Sequence, residues 1–124
     1  MFMAANSLWE SFGYAIKGIY RACCTQRNMK IHYAVAVAVL AAACGLGIKG
    51  TELAMLIFAI ALVIVAEMIN TAIEAAIDTV VKEYNPQAGA AKDIAAGAVL
   101  LAAVFSVIIG LLIFYPHLRS LLAG

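Results

Sequence analysis

The run from Leu53 to about Val81 decides what this chain can become. It begins as unbroken lipid-compatible sequence and then, between Val65 and Asp78, takes on Glu67, Asn70, Glu74 and Asp78 while every residue between them except Thr71 stays apolar. A hydrocarbon interior offers no water to backbone N–H and C=O groups, so a segment this apolar can cross it only as a helix that bonds to itself. At about 100° per residue the four polar residues fall near 0°, 300°, 340° and 20°, an arc of about 80°. One helix face therefore carries nearly all of the polarity. At 1.5 Å per residue the helix is roughly 40 Å long, so the polar end of that face reaches a membrane surface and is accessible from water.

The rest of the sequence agrees with a small all-α membrane protein. Of 124 residues, 66% are hydrophobic and 12% charged, whereas soluble domains are about 45–50% apolar. A net charge of +1 without a basic cluster excludes nucleic acid as a partner, because phosphate binding needs concentrated positive charge. Cys23, Cys24 and Cys44 form no C-x-x-C pair and no even set, so they read as small apolar residues in a reducing context and not as a metal site.

In chain order, residues 6–24 predict an amphipathic helix. Ser7-Leu8-Trp9-Glu10 has the S-x-x-E form of a capping box. Leu8, Phe12, Ile16, Ile19 and Cys23 recur on one face, and Glu10, Tyr14, Lys17 and Arg21 on another. That pattern suits a helix lying in the membrane interface with Trp9 as an anchor, or equally a plain surface helix with a solvated face. A polar break from Thr25 to Lys30 precedes a first span over 31–48, in which His32 is the one imidazole, at the near end. Gly45 to Gly50 predicts a short turn, 53–81 the second span, and Lys82 to Asp93 a polar loop turning at Asn85-Pro86. A third span over 94–115 carries no charge and is ended by Pro116. On it Ala98, Ala102, Ser106 and Gly110 repeat every four residues, a small-residue face that lets another helix approach closely in a bilayer.

Lysine and arginine set the orientation. Six of them, Lys17, Arg21, Arg27, Lys30, Lys82 and Lys92, fall on the side of the N-terminus and of the loop after the second span, against Lys49 and Arg119 on the other. The bias places the N-terminus and the Glu74 end of the second span in the cytoplasm, where ATP is available. Carboxylates inside a span suit catalysis or metal binding, transport, or a packed structural network. Glu67 and Glu74, seven residues apart, suit a division of labour between a base nearer the membrane and a metal ligand nearer water. Oxygen ligands beside a phosphate favour Mg²⁺ over zinc. Lys92-Asp93 would compensate phosphate charge. The sequence has no G-x-x-x-x-G-K-[ST] and no soluble-kinase motif set, so a phosphotransferase built on it needs another architecture.

The string Glu67-Met-Ile-Asn70-Thr-Ala-Ile-Glu74-Ala-Ala-Ile-Asp78, followed by Ala91-Lys92-Asp93 and the small-residue third span, resembles the prokaryotic integral-membrane diacylglycerol kinase and undecaprenol kinase family over nearly the whole chain. Arg27-Asn28-Met29 before His32, the stretch from Lys92 to Val99, and Ile108 to Pro116 resemble the undecaprenol kinase branch more closely than the enterobacterial diacylglycerol kinases. The resemblance implies one membrane lipid-kinase domain over residues 1–124. Its subunits would have a surface helix and three spans and form a homotrimer with active sites shared between neighbours, in the bacterial inner (cytoplasmic) membrane. The implied activity is Mg²⁺-dependent transfer of the γ-phosphoryl group of ATP to a lipid hydroxyl, that of undecaprenol first and of diacylglycerol second. By the same resemblance Glu67 matches the general base, with Asn70 beside it on the catalytic face. Glu74 matches a metal-binding glutamate that reaches the ATP phosphates through the ion, and Tyr14, Glu83, Tyr84, Lys92 and Asp93 match nucleotide contacts. The family's second metal-binding glutamate aligns with Gln26, whose neutral amide oxygen is a weaker Mg²⁺ ligand. That departure keeps a catalytically inactive scaffold of the same fold among the readings. A small transporter is the third, but it would not need Lys92-Asp93 beside the carboxylates.

Overall fold

The computed structural model describes residues 7–124; the predicted first residue of the opening helix, Asn6, lies outside them. They form four α-helices: α1 (Leu8–Thr25), α2 (Arg27–Gly45), α3 (Thr51–Val80) and α4 (Pro86–Ala123). α2, α3 and α4 are each long and apolar enough to cross a membrane.

Local chemistry sets most of the boundaries. The Ser7 side chain accepts a hydrogen bond from the Glu10 N–H at 3.2 Å, the N-cap that S-x-x-E predicts. The break between α1 and α2 is a single residue, Gln26, whose extended backbone (φ −102°, ψ 120°) ends one helix and starts the next. The sequence reading placed the polar break over six residues. Arg27, Asn28 and Lys30 are instead helical and exposed, while Met29 among them is fully buried and pins the first turn of α2 to the bundle. α2 stops at Gly45, three residues short of the predicted Ile48, because the chain turns where Gly47 (φ 73°) and Gly50 (φ 64°) adopt left-handed backbone that side chains with a Cβ disfavour. The Ile48 N–H returns to the Ala43 carbonyl at 2.9 Å, closing the turn.

Two proline readings are corrected. Asn85-Pro86 is not a mid-loop turn but the start of α4. The Asn85 Oδ1 accepts from the Gln87 and Ala88 N–H groups at 2.9 and 3.1 Å, and Pro86 stands at the start of the helix, where its missing N–H costs nothing. Lys92 and Asp93 are consequently helical. Pro116 does not end the third span; α4 runs through it to Ala123. Proline there removes one intrahelical donor, and packing on both sides holds the helix together. Ile113 is buried, Phe114 packs on the core, and the His117 Nε2 lies 3.0 Å from the Glu52 Oε1 at the start of α3.

The three long helices run antiparallel in sequence order. His32 meets Glu67 and Ala43 packs with Leu56 across α2 and α3; Glu52 meets His117, Ala59 meets Ser106 and Asp78 meets Lys92 across α3 and α4. α3 is thus the shared partner of α2 and α4. The predicted close packing of the small-residue face is present at Ala102, which is buried, and at Ser106, whose hydroxyl donates to the Ala59 carbonyl at 3.0 Å. A cluster of buried apolar residues, Ala43, Ile48, Leu56 and Ile113, sits at the α2–α3 turn. That end of the bundle is opposite the polar face of α3, so the polar residues project from a frame anchored elsewhere. Leu100, Leu101, Val104, Phe105, Leu111 and Leu112 stay exposed on α4, an apolar surface suited to lipid or to another membrane helix.

Candidate active site

The four polar residues of α3 form a gradient from the bundle interior to water. Glu67 is 4% exposed and Asn70 7%, Glu74 is half-buried, and Asp78 is exposed. The Asn70 Nδ2 donates to the Glu74 Oε1 at 2.8 Å, one helical turn on. The Asn70 Oδ1 is buried with no hydrogen-bond partner, a cost of about 1–3 kcal/mol when left unrelieved. At the watery end the Lys92 Nζ lies 2.8 Å from the Asp78 Oδ1, and the Lys82 Nζ donates to the Asp78 carbonyl at 3.2 Å. At the buried end the His32 Nε2 of α2 stands 3.6 Å from the Glu67 Oε2, a contact longer than a hydrogen bond.

The structure joins some of the sequence-predicted residues and leaves others apart. Glu67, Asn70 and Glu74 share the α3 face, and Lys92 meets that face through Asp78. Asp93, next to Lys92 on α4, is exposed, as are Glu83 and Tyr84 on the segment between α3 and α4. Tyr14 is exposed on α1, with the Lys17 Nζ 5.9 Å from its ring centroid. Gln26 is half-buried at the α1–α2 junction and its side chain caps neither helix. Among the described residues no hydrogen bond links Tyr14, Gln26, Glu83 or Tyr84 to the α3 face. Sequence reasoning missed His32 and Asp78 as partners. The signal for His32 was present, since it is the one imidazole in the predicted first span. The Asp78–Lys92 pairing depends on a helix register that no local pattern encodes. Cys23 also does more than fill space, its Sγ lying 2.8 Å from the Tyr33 hydroxyl.

Among the described residues no three His, Cys, Asp or Glu side chains gather as a metal cage. The donors available at Asn70 and Glu74 are oxygens, one of them the orphaned Oδ1. This set fits Mg²⁺, which keeps several waters and commonly takes one or two carboxylates plus substrate phosphates rather than an all-protein cage.

Two grooves flank the face. One, of about 380 Å³, runs between α2, α3 and α4 from His32 past Ala36, Val63 and Ala59 to Phe114; His32 and Ser106 are the polar side chains in an otherwise apolar lining. The other, of about 450 Å³, lies between α3 and α4 beside Asn70, and Ile69, Ile73 and Ile94 line it. Ionisable groups at the watery end of a span, a buried carboxylate further in, and apolar grooves beside both can bring a charged water-soluble molecule and a membrane-dissolved one to the same helix.

The sequence profile of the prokaryotic diacylglycerol kinase family matches residues 13–114. The chain is 44% identical over 119 residues to a diacylglycerol kinase of Synechocystis, covering 95% of this chain and 68% of that protein. It is 42% identical over 113 residues to the undecaprenol kinase of Bacillus subtilis, covering 91% and 92%. To the diacylglycerol kinase of Escherichia coli K12 it is 30% identical over 108 residues, covering 87% and 88%.

Proposed function

The chain belongs to the prokaryotic diacylglycerol kinase family, a family of membrane lipid kinases, and from that premise we propose that it phosphorylates undecaprenol with ATP on the polar face of α3. The observation that carries the proposal is the gradient from buried Glu67 through Asn70 and Glu74 to exposed Asp78. Phosphoryl transfer asks for charge neutralisation and in-line placement more than for covalent help, and this face offers a base, a metal ligand and a cation in that order.

Glu67 takes the proton from the lipid hydroxyl as its oxygen attacks the γ-phosphorus. The bond from that phosphorus to the β,γ-bridging oxygen breaks, and ADP leaves with the electron pair. Asn70 orients Glu74 through its 2.8 Å bond. Glu74 is the residue we assign to hold Mg²⁺, with the Gln26 amide as a weaker second oxygen donor; when bound, the ion neutralises phosphate charge. Lys92 and Asp93 face the nucleotide from α4, Tyr14 from α1, and Glu83 and Tyr84 from the α3–α4 segment. α1 lies in the membrane interface, its Leu8, Phe12, Ile16 and Ile19 toward lipid. Three copies assemble and share their active sites, which brings the nucleotide contacts that stand apart within one chain to a neighbour's α3 face. The N-terminus and the Glu74 end face the cytoplasm in the bacterial inner membrane.

Identity does not separate the two alcohols, at 44% to the Synechocystis diacylglycerol kinase and 42% to the Bacillus subtilis undecaprenol kinase; undecaprenol is preferred because the match spans 92% of the Bacillus subtilis protein against 68% of the Synechocystis one. The Synechocystis relative supports diacylglycerol as the second reading. The deciding experiment offers both alcohols to the purified protein in mixed micelles with ATP and Mg²⁺ and follows labelled phosphate into lipid. Faster transfer to undecaprenol is expected. Transfer to neither alcohol, with the protein folded, would favour the inactive scaffold.

A further inference from the structure

We propose that His32 is a positioning residue for Glu67, holding the carboxylate toward the head of the apolar α2–α3–α4 groove where a lipid hydroxyl arrives. The inference rests on the reading of Glu67 as the base. An ionisable side chain within a span is costly to keep and marks function by default, and His32 lies about 8 Å along α2 from its first residue, at 1.5 Å per residue. Its Nε2 is 3.6 Å from the Glu67 Oε2, and the His32 side chain is 24% exposed where that of Glu67 is 5%. The imidazole is therefore the more open member of the pair, and it lines the groove.

The neighbouring side-chain donors are committed elsewhere. Asn70 gives its amide to Glu74, and Ser106, the other polar side chain in the groove, gives its hydroxyl to the Ala59 carbonyl. His32 is left as the side chain that both lines the groove and stands beside Glu67. A glutamate has three rotatable side-chain bonds, and fixing such a chain costs about 1.5–2 kcal/mol of rotamer freedom. A partner on the facing helix removes that freedom before substrate binds. Loss of the partner leaves the base in the site but misaimed, and a misplacement of about 1 Å can cost on the order of 10²-fold in rate.

The test uses the full-length chain in mixed micelles. H32L is expected to lower kcat about ten- to a hundredfold, with the KM values for lipid and ATP little changed. H32Q, whose amide has similar reach to Nε2, is expected to recover most of the rate. In an E67Q background H32L should cause no further loss, since residues that act through one another are non-additive. An unchanged kcat in H32L overturns the proposal, as does a raised lipid KM at constant kcat, which would make His32 a groove contact only. Equal fold-losses in the Glu67 and E67Q backgrounds overturn it too. Should H32L fail to assemble, H32N carries the comparison. Asn is too short to reach Glu67, so H32N should be slow where H32Q is fast, and equal rates in the two overturn the assignment. Wild-type turnover in E67Q alone defeats the base reading itself, an outcome distinct from all of these.

Discussion

Replacing Asn70 with alanine separates the stability of the α3 face from its chemistry. In the folded protein Asn70 makes one bond, from Nδ2 to the Glu74 Oε1 at 2.8 Å, and leaves its Oδ1 buried and unpaired. A hydrogen bond to a charged group contributes about 1.5–3 kcal/mol, and the half-buried position of Glu74 puts this one near the lower figure. Against it, deleting the side chain abolishes an orphaned acceptor that costs about 1–3 kcal/mol. The two contributions offset, so Asn70→Ala should unfold in SDS titrations of the detergent-solubilised protein within about 1 kcal/mol of wild type. Glu74, released from its tether, would no longer be held for the metal that the proposed mechanism assigns to it. If aiming it is worth at least about 1.4 kcal/mol, turnover at limiting Mg²⁺ falls tenfold or more. A stability loss above about 3 kcal/mol with an unchanged Mg²⁺ titration would refute the reasoning, because the residue would then be structural and its oxygen satisfied.

Three further substitutions probe the same face. Glu74→Gln should weaken apparent Mg²⁺ dependence more than lipid affinity; a change confined to the lipid's KM would overturn the division of labour between the two glutamates. Gln26→Glu should raise apparent Mg²⁺ affinity by adding a carboxylate at a partly desolvated site. Identical titrations of the two forms would place Gln26 outside the metal site. Lys92→Met should raise the KM for ATP while leaving the fold's stability little changed, because the Asp78 pair is solvent-accessible. An unchanged KM would leave Lys92 a surface partner of Asp78 alone.

The sequence displays what local physics writes into it. Apolar run length locates three membrane-competent helices, and the spacing of Glu67, Asn70, Glu74 and Asp78 places them on one face. The Ser7 cap was readable because its partner, Glu10, is three residues away. Proline misled twice, in opposite directions. Asn85-Pro86 carries an N-cap and an N1 proline as legibly as it carries a turn, and the helical reading needed the apolar face of α4 to begin earlier than Ile94. Pro116 was a sound stop signal on local grounds, overruled by the burial of Ile113 and the Glu52–His117 contact, 65 residues apart in sequence. Tertiary contacts of that kind cannot be read from a window of neighbours. The same holds for His32 against Glu67, which depends on the antiparallel register of α2 and α3.

The central claim is tested most directly by the turnover of Glu67→Gln. A positioned general base contributes about 10² to 10⁴ in rate, and glutamine keeps the size of the side chain while losing its ability to accept a proton. The account predicts that phosphate transfer to undecaprenol falls by about that factor, while assembly and Mg²⁺·ATP binding match wild type. Transfer near the wild-type rate would contradict it.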